Sequence, residues 1–305
     1  MIAHRSRSGR AFGLICTVIA FVSAPCLVQA RDVKISKDVV YGTIKRDKPA
    51  TEPIRPATGP AVQPFSNELK LLLDVYEPDG YAGTRPGVVL IHGGGWSAGD
   101  KASYAETGKT LAAKGFVAFA LNYRLAPAFH YPAQVDDVQR AVRWIRAHAS
   151  NYNIDPNRLG AIGDSAGGYL VSLLGTRDTR DNKDLARYSS RVQCVVDLYG
   201  PTDLTAPETT ARLPQFSAHI VENFIGKKRI SAPELYRECS PVTYVDRMSA
   251  PFLIMHGELD PLVPVDQSER LRDALIKVGV EATLVIMPKD GHGFKSLRIS
   301  RSRCR

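Results

Sequence analysis

From residue 69 onward, short uninterrupted apolar runs alternate with longer stretches in which apolar residues recur every three or four positions. The runs at about 87–91, 116–122, 158–162, 192–199, 251–256 and 282–287 are strand-length, and sequences such as Gly87-Val88-Val89-Leu90-Ile91 read as strands buried on both faces. Leu69 to Tyr76 reads as a further strand, ended by Pro78-Asp79-Gly80. Helical spacing appears at about 103–114, 133–148, 166–174, 232–238 and 266–278. Strands alternating with helices predict an α/β fold, a mostly parallel central sheet with helices on both faces. In such a sheet the functional residues belong in loops at the carboxyl ends of the strands. Before residue 69 the pattern is weaker. Val33, Ile35, Val39, Val40, Tyr41 and Ile44 predict one short strand within 31–45, and Pro49, Pro53, Pro56, Pro60 and Pro64 then mark an extended connector.

Composition fits this picture. With 44% hydrophobic and 23% charged residues in a chain of 305, a large core is affordable. The formal charge of +9 suggests nucleic acid until it is located. Arg5, Arg7 and Arg10 precede residue 31, and Lys295, Arg298, Arg301, Arg303 and Arg305 follow His292, which leaves about +1 for everything between. Nucleic-acid binding is not expected. The N-terminal arginines, the apolar run Ala11 to Val22 and the small residues before Arg31 have the order of a secretory signal peptide ending at Ala30. An uncleaved anchor is the alternative, but the run is short for a full span. Pro25 directly before Cys26 is a poor fit to a lipoprotein signal. The chain therefore divides into a signal at 1–30, a strand and Pro-rich connector at 31–66, an α/β domain at 67–294 and a basic tail at 295–305. A secreted or periplasmic protein is expected, with no stable membrane partner after cleavage. Oligomeric state is not legible. Cys194, Cys239 and Cys304 remain after cleavage, with no zinc-like spacing; Cys194 is expected to pack as a small hydrophobe, and a Cys194–Cys239 disulfide is permitted but not implied.

The chemistry is concentrated at three strand ends. Leu159 to Ile162 runs into Gly163-Asp164-Ser165-Ala166-Gly167, and a helix-permissive stretch follows, which is the order of a nucleophile elbow carrying Ser165. His92-Gly93-Gly94-Gly95-Trp96 follows the strand at 87–91, and its bare backbone suits an oxyanion hole. The amides of Gly93 and Gly94, with Ala166, are assigned as donors, although the spacing does not decide which two of the three glycines face inward. The strand at 251–256 leads to Asp260, the expected orienting acid, with Glu258 and Asp266 as rivals; Asp266 is expected to cap the following helix. The strand at 282–287 leads to His292, flanked by Gly291 and Gly293. Of the other histidines, His92 is read as an anchor of the oxyanion loop, and His256 stands too near the acid to share its role.

The chain order Ser165, Asp260, His292 is that of an α/β hydrolase. Residues 69–294 resemble the esterase/lipase branch of the α/β-hydrolase fold that carries a His-Gly-Gly-Gly motif, the hormone-sensitive-lipase-like esterases. Within that branch they are most similar to bacterial acetyl-esterase and feruloyl-esterase-like proteins. The resemblance rests on Leu73 to Pro78, His92 to Trp96, Asn122 to Pro127, Tyr131 to Gln134, Gly163 to Gly168 and His256 to Asp260. It implies Ser165 as nucleophile, His292 as base and then acid, and Asp260 as its orienting partner. It also implies a structural pair between Arg124 and one of Asp136 or Asp137. The family usually continues past the histidine into a helix that covers the sheet, whereas residues 295–305 are Arg/Ser-rich and barely amphipathic. The expected activity is that of a serine carboxylesterase acting on a small-molecule ester with short acyl or aryl groups, with no metal or cofactor. A serine peptidase of related fold and a non-catalytic binding protein are the alternatives. Trp96 and Tyr169 are expected to border the substrate pocket. Residues 201–231, with Phe216 and Phe224, are the expected specificity segment.

Overall fold

The computed structural model describes residues 32–45, 67–80, 83–179, 185–206 and 215–294. The expected signal peptide, most of the Pro-rich connector and the basic tail lie outside these residues, and so do Cys304 and the side chain of Phe216.

The strands are β1 (Val33–Lys45), β2 (Glu68–Pro78), β3 (Arg85–Ile91), β4 (Val117–Leu121), β5 (Ile154–Asp164), β6 (Cys194–Leu198), β7 (Phe252–Gly257) and β8 (Ala282–Met287). They form one sheet in the order β1-β2-β4-β3-β5-β6-β7-β8. β2 is antiparallel to both of its neighbours, and every pairing from β4 to β8 is parallel. All five residues of β4 are buried, which is why its sequence, Val-Ala-Phe-Ala-Leu, shows no polar alternation.

β1 lies in the interval where a strand is expected, but it is not short. It runs for 13 residues and pairs with β2 from Val33 opposite Pro78 to Lys45 opposite Glu68. Its only buried residue is Tyr41, whose hydroxyl donates to Asn122 O (2.6 Å). An edge strand with one neighbour needs few apolar side chains, so its sequence signal is weak. The N-terminal strand thus belongs to the same sheet as the rest.

Six helices are described: α1 (Ala105–Ala113), α2 (Ala133–Ala147), α3 (Ala166–Thr176), α4 (Gln215–Ile225), α5 (Pro233–Cys239) and α6 (Asp266–Lys277). On α2, Val135, Val138, Ala141, Val142 and Ile145 form one buried stripe. Every residue of α3 is buried, as expected of a helix apolar all round. With α6, these two pack on one face of the sheet around Val89, Phe119, Leu170, Val195, Ile254 and Leu271. The opposite face holds a second cluster, Tyr76, Leu90, Tyr104, Leu111, Phe116 and Ile162 among others, and α1 is the described helix that covers it. Leu198, Met255 and Val285, on that same face, are only partly buried. Cys194 packs in this second cluster and Cys239 in the first, and both are free thiols. Helix α4 lies within the segment expected to set specificity, where Pro- and Thr-rich surroundings had masked its helical spacing.

Candidate active site

Ser165 sits between the end of β5 and the start of α3 with φ 52° and ψ −118°, a conformation that L-residues rarely adopt. The turn holds because its neighbours lack side chains. A Cβ on Gly163 would lie 2.4 Å from Gly167 O, and one on Gly167 would lie 2.1 Å from Ile91 O. The Ser165 N–H donates to Leu198 O on β6 (2.8 Å), fixing the elbow to the neighbouring strand. The positive end of α3 stands beneath the nucleophile.

Ser165 Oγ lies 2.9 Å from His292 Nε2, and His292 Nδ1 lies 2.7 Å from Asp260 Oδ2. With Nδ1–H donating to the carboxylate, Nε2 is left to accept the serine proton. The Asp260 side chain is fully buried, and its Oδ1 accepts from the N–H groups of Leu262 (2.8 Å) and Val263 (2.9 Å). Burial opposes its charge, yet His256, His292 and the Val263 N–H together hold its carboxyl well below the usual carboxylate range. His256 is itself buried: its Nε2 donates to Val263 O (2.8 Å) and lies 3.5 Å from Asp260 Oδ2, while Nδ1 accepts from Ser268 Oγ (2.6 Å). The rivals for the acid are excluded by position. Glu258 is exposed and takes only a 3.4 Å contact from the Lys289 N–H. Asp266 is not the cap of α6 but its first residue, paired with Arg270 (3.2 Å), since Val265 occupies the cap position. The His292 ring meets Tyr199 edge-on, with centroids 4.6 Å apart, and Tyr199 in turn meets Phe294 at 4.9 Å.

The structure separates the three glycines that the sequence leaves undecided. The Gly93 N–H donates to Asp164 Oδ1 (3.1 Å), an acceptor that also takes the Tyr104 hydroxyl (2.9 Å), so this amide is already engaged. Among the described residues, the N–H groups of Gly94, Gly95 and Ala166 have no such partner, and the helix itself leaves Ala166 free at its first position. Gly94 and Gly95 have φ of 113° and 58°. The amides left free at this end of the site are therefore those of Gly94, Gly95 and Ala166. His92 anchors the loop: it is buried, burial pulls its imidazole below the usual histidine range, its ring stacks on Tyr123 at 4.5 Å, and its carbonyl accepts the Tyr123 hydroxyl (3.0 Å).

Among the described residues, Trp96 and Tyr169 do not border an open pocket. They are 2% and 0% exposed, and the indole lies between Phe224, stacked at 4.2 Å, and Tyr169, edge-on at 5.1 Å. Both rings are core, because α3 is enclosed on all sides and Trp96 lies beneath α4. Of the two candidate acids for Arg124, Asp137 is the partner: it accepts from the guanidinium at 2.7 Å and from the Arg124 N–H at 2.8 Å. Tyr104, Tyr199 and Asp164 are not singled out by the sequence, and His256, set aside there as too near the acid, proves to stand against it. Only Asp164 offered a signal, as a charged residue inside the elbow itself.

The family model described as BD-FAE matches residues 73–275. A probable carboxylic ester hydrolase of Mycobacterium tuberculosis, LipM, is 34% identical over 236 residues, which is 75% of this chain and 54% of LipM. The chain thus spans a little over half the length of that relative. Among solved structures, an acetyl ester-xyloside bifunctional hydrolase from Caldicellulosiruptor lactoaceticus is 28% identical with a TM-score of 0.67, covering 86% of this chain and 92% of its own. A truncated carbohydrate esterase from gut microbiota superposes with a TM-score of 0.68 at 24% identity, covering 92% of this chain and 97% of its own, and so speaks to the fold alone.

Proposed function

The chain belongs to the BD-FAE family and has the α/β-hydrolase fold, and from that premise we propose that it is a serine carboxylesterase cleaving small esters with short acyl or aryl groups. The observation that carries this reading is the hydrogen-bonded line from Ser165 Oγ through His292 to Asp260, beside three unengaged amides. The esterase names among its relatives support it.

In the reaction, Ser165 Oγ attacks the ester carbonyl as His292 Nε2 takes its proton. The N–H groups of Gly94, Gly95 and Ala166 hold the oxyanion, and the buried Asp260 carboxylate stabilises the imidazolium. His292 then protonates the leaving alcohol. Water repeats the sequence on the acyl-enzyme and frees the acid. The signal-like N-terminus supports action after export, from Arg31 onward.

The test is hydrolysis of p-nitrophenyl esters from acetate to laurate by residues 31–305 and by the Ser165→Ala variant. Turnover is expected to fall with acyl length in the first and to drop by on the order of 10⁴-fold to 10⁶-fold in the second. Folded protein without activity on any ester would overturn the reading in favour of a non-catalytic binding protein.

A further inference from the structure

Helix α4 lies directly against the oxyanion loop. A Cβ placed on Gly95 would stand 2.9 Å from Ile220 Cγ2, so this side chain rests on the backbone of a donor. The helix is held there at several points. Phe224 stacks on Trp96, Phe224 O accepts the Tyr131 N–H (3.0 Å), and Asn223 O lies 2.9 Å from His130 Nδ1. Val221, Phe224 and Ile225 are buried, whereas Ile220 is only partly so. It occupies the boundary between the core and the space beside Gly95.

The tetrahedral intermediate has four substituents. One is Ser165 Oγ; the oxyanion points to the Gly94, Gly95 and Ala166 amides; the leaving oxygen must face His292 Nε2 to receive its proton. His292 follows β8, three strands beyond β5 on one side, whereas the oxyanion loop follows β3 on the other, and α4 rests on that loop through Ile220 and Phe224. The alcohol is thereby directed toward β6–β8, which leaves the acyl group on the side where Ile220 stands.

We infer that Ile220 is the end wall of the acyl site and sets the upper length of the acyl chain. This rests on the esterase reading above. The Ile220→Ala variant is assayed with p-nitrophenyl acetate, butyrate, hexanoate and octanoate, and separately with ethyl, butyl and hexyl acetate. The octanoate-to-acetate ratio of kcat/KM is expected to rise roughly tenfold or more, the order of effect of a few methylenes in an apolar pocket, while the hexyl-to-ethyl ratio holds. Should thermal unfolding show that Ile220→Ala does not fold, Ile220→Val is expected to move the acyl ratio in the same direction by a smaller factor. An unchanged acyl ratio in a folded variant, or an alcohol ratio that moves as much as the acyl ratio, overturns the assignment. A wild-type protein inactive on every ester overturns the esterase reading instead.

Discussion

Asp164 stands next to the nucleophile in sequence yet faces the oxyanion loop, where one of its oxygens takes both the Gly93 N–H and the Tyr104 hydroxyl. It ties the elbow to the loop that supplies the donors, and so fixes the distance between Ser165 and the Gly94 and Gly95 amides. The Asp164→Ala variant is expected to lose roughly tenfold to a hundredfold in kcat with a smaller change in KM, the scale of a misplaced donor. Asp164→Asn keeps an oxygen to accept both bonds and is expected to recover most of the loss. Equal losses in the two variants would assign the aspartate a role through its charge. The meeting of Ser165, Asp260 and His292 was legible because a nucleophile, acid and base are expected at strand ends in that order and glycines stand close to each of them. The choice among Gly93, Gly94 and Gly95 was not, because it turns on a carboxylate far along the chain. Trp96 and Tyr169 misled for a similar reason: an aromatic residue beside a motif looks the same in sequence whether it faces substrate or core.

At the scale of elements, the loop between β4 and α2 connects the oxyanion side of the site to α4, and Arg124 and Asp137 hold it. Asp137 is fully buried, while Arg124 retains some exposure. Removing one partner of such a pair leaves the other uncompensated, at about 3–5 kcal/mol. Arg124→Ala, which strands the buried carboxylate, is expected to cost more than Asp137→Ala, as read from urea unfolding of both. A reversed order would mean that Arg124 finds no relief at the surface. Most strands and five helices were readable as apolar runs and helical spacing. β1 was readable as a strand though not its length, because it spreads few apolar residues along an edge; α4 was missed although it carries an apolar stripe through Val221, Phe224 and Ile225, because the Pro- and Thr-rich sequence before it obscures where it starts.

For the molecule as a whole, Asp197 links stability to pH. It lies fully buried near the carboxyl end of β6, accepting from Ser172 Oγ (3.0 Å) and the Gly200 N–H (2.9 Å), and burial outweighs these bonds to push its carboxyl up to about 6. An unfolded aspartate titrates near ~3.9. Between these values the folded chain holds a proton that the unfolded chain has released, so this group's contribution is full below about 4 and declines until pH passes about 6. Asp197→Asn is expected to flatten the dependence of the unfolding midpoint on pH across that window; an unaltered slope would assign it to other groups. The contact between Ile220 and Gly95 reaches further than the present chemistry. A wall that rests on a donor cannot be moved without disturbing what it rests on, so a lineage that makes more room for the acyl group gives up speed as it gains breadth. Grafting α4 from a relative would carry both properties together, and descendants that accept bulkier acids would show their compensating changes in the glycine loop rather than in the helix.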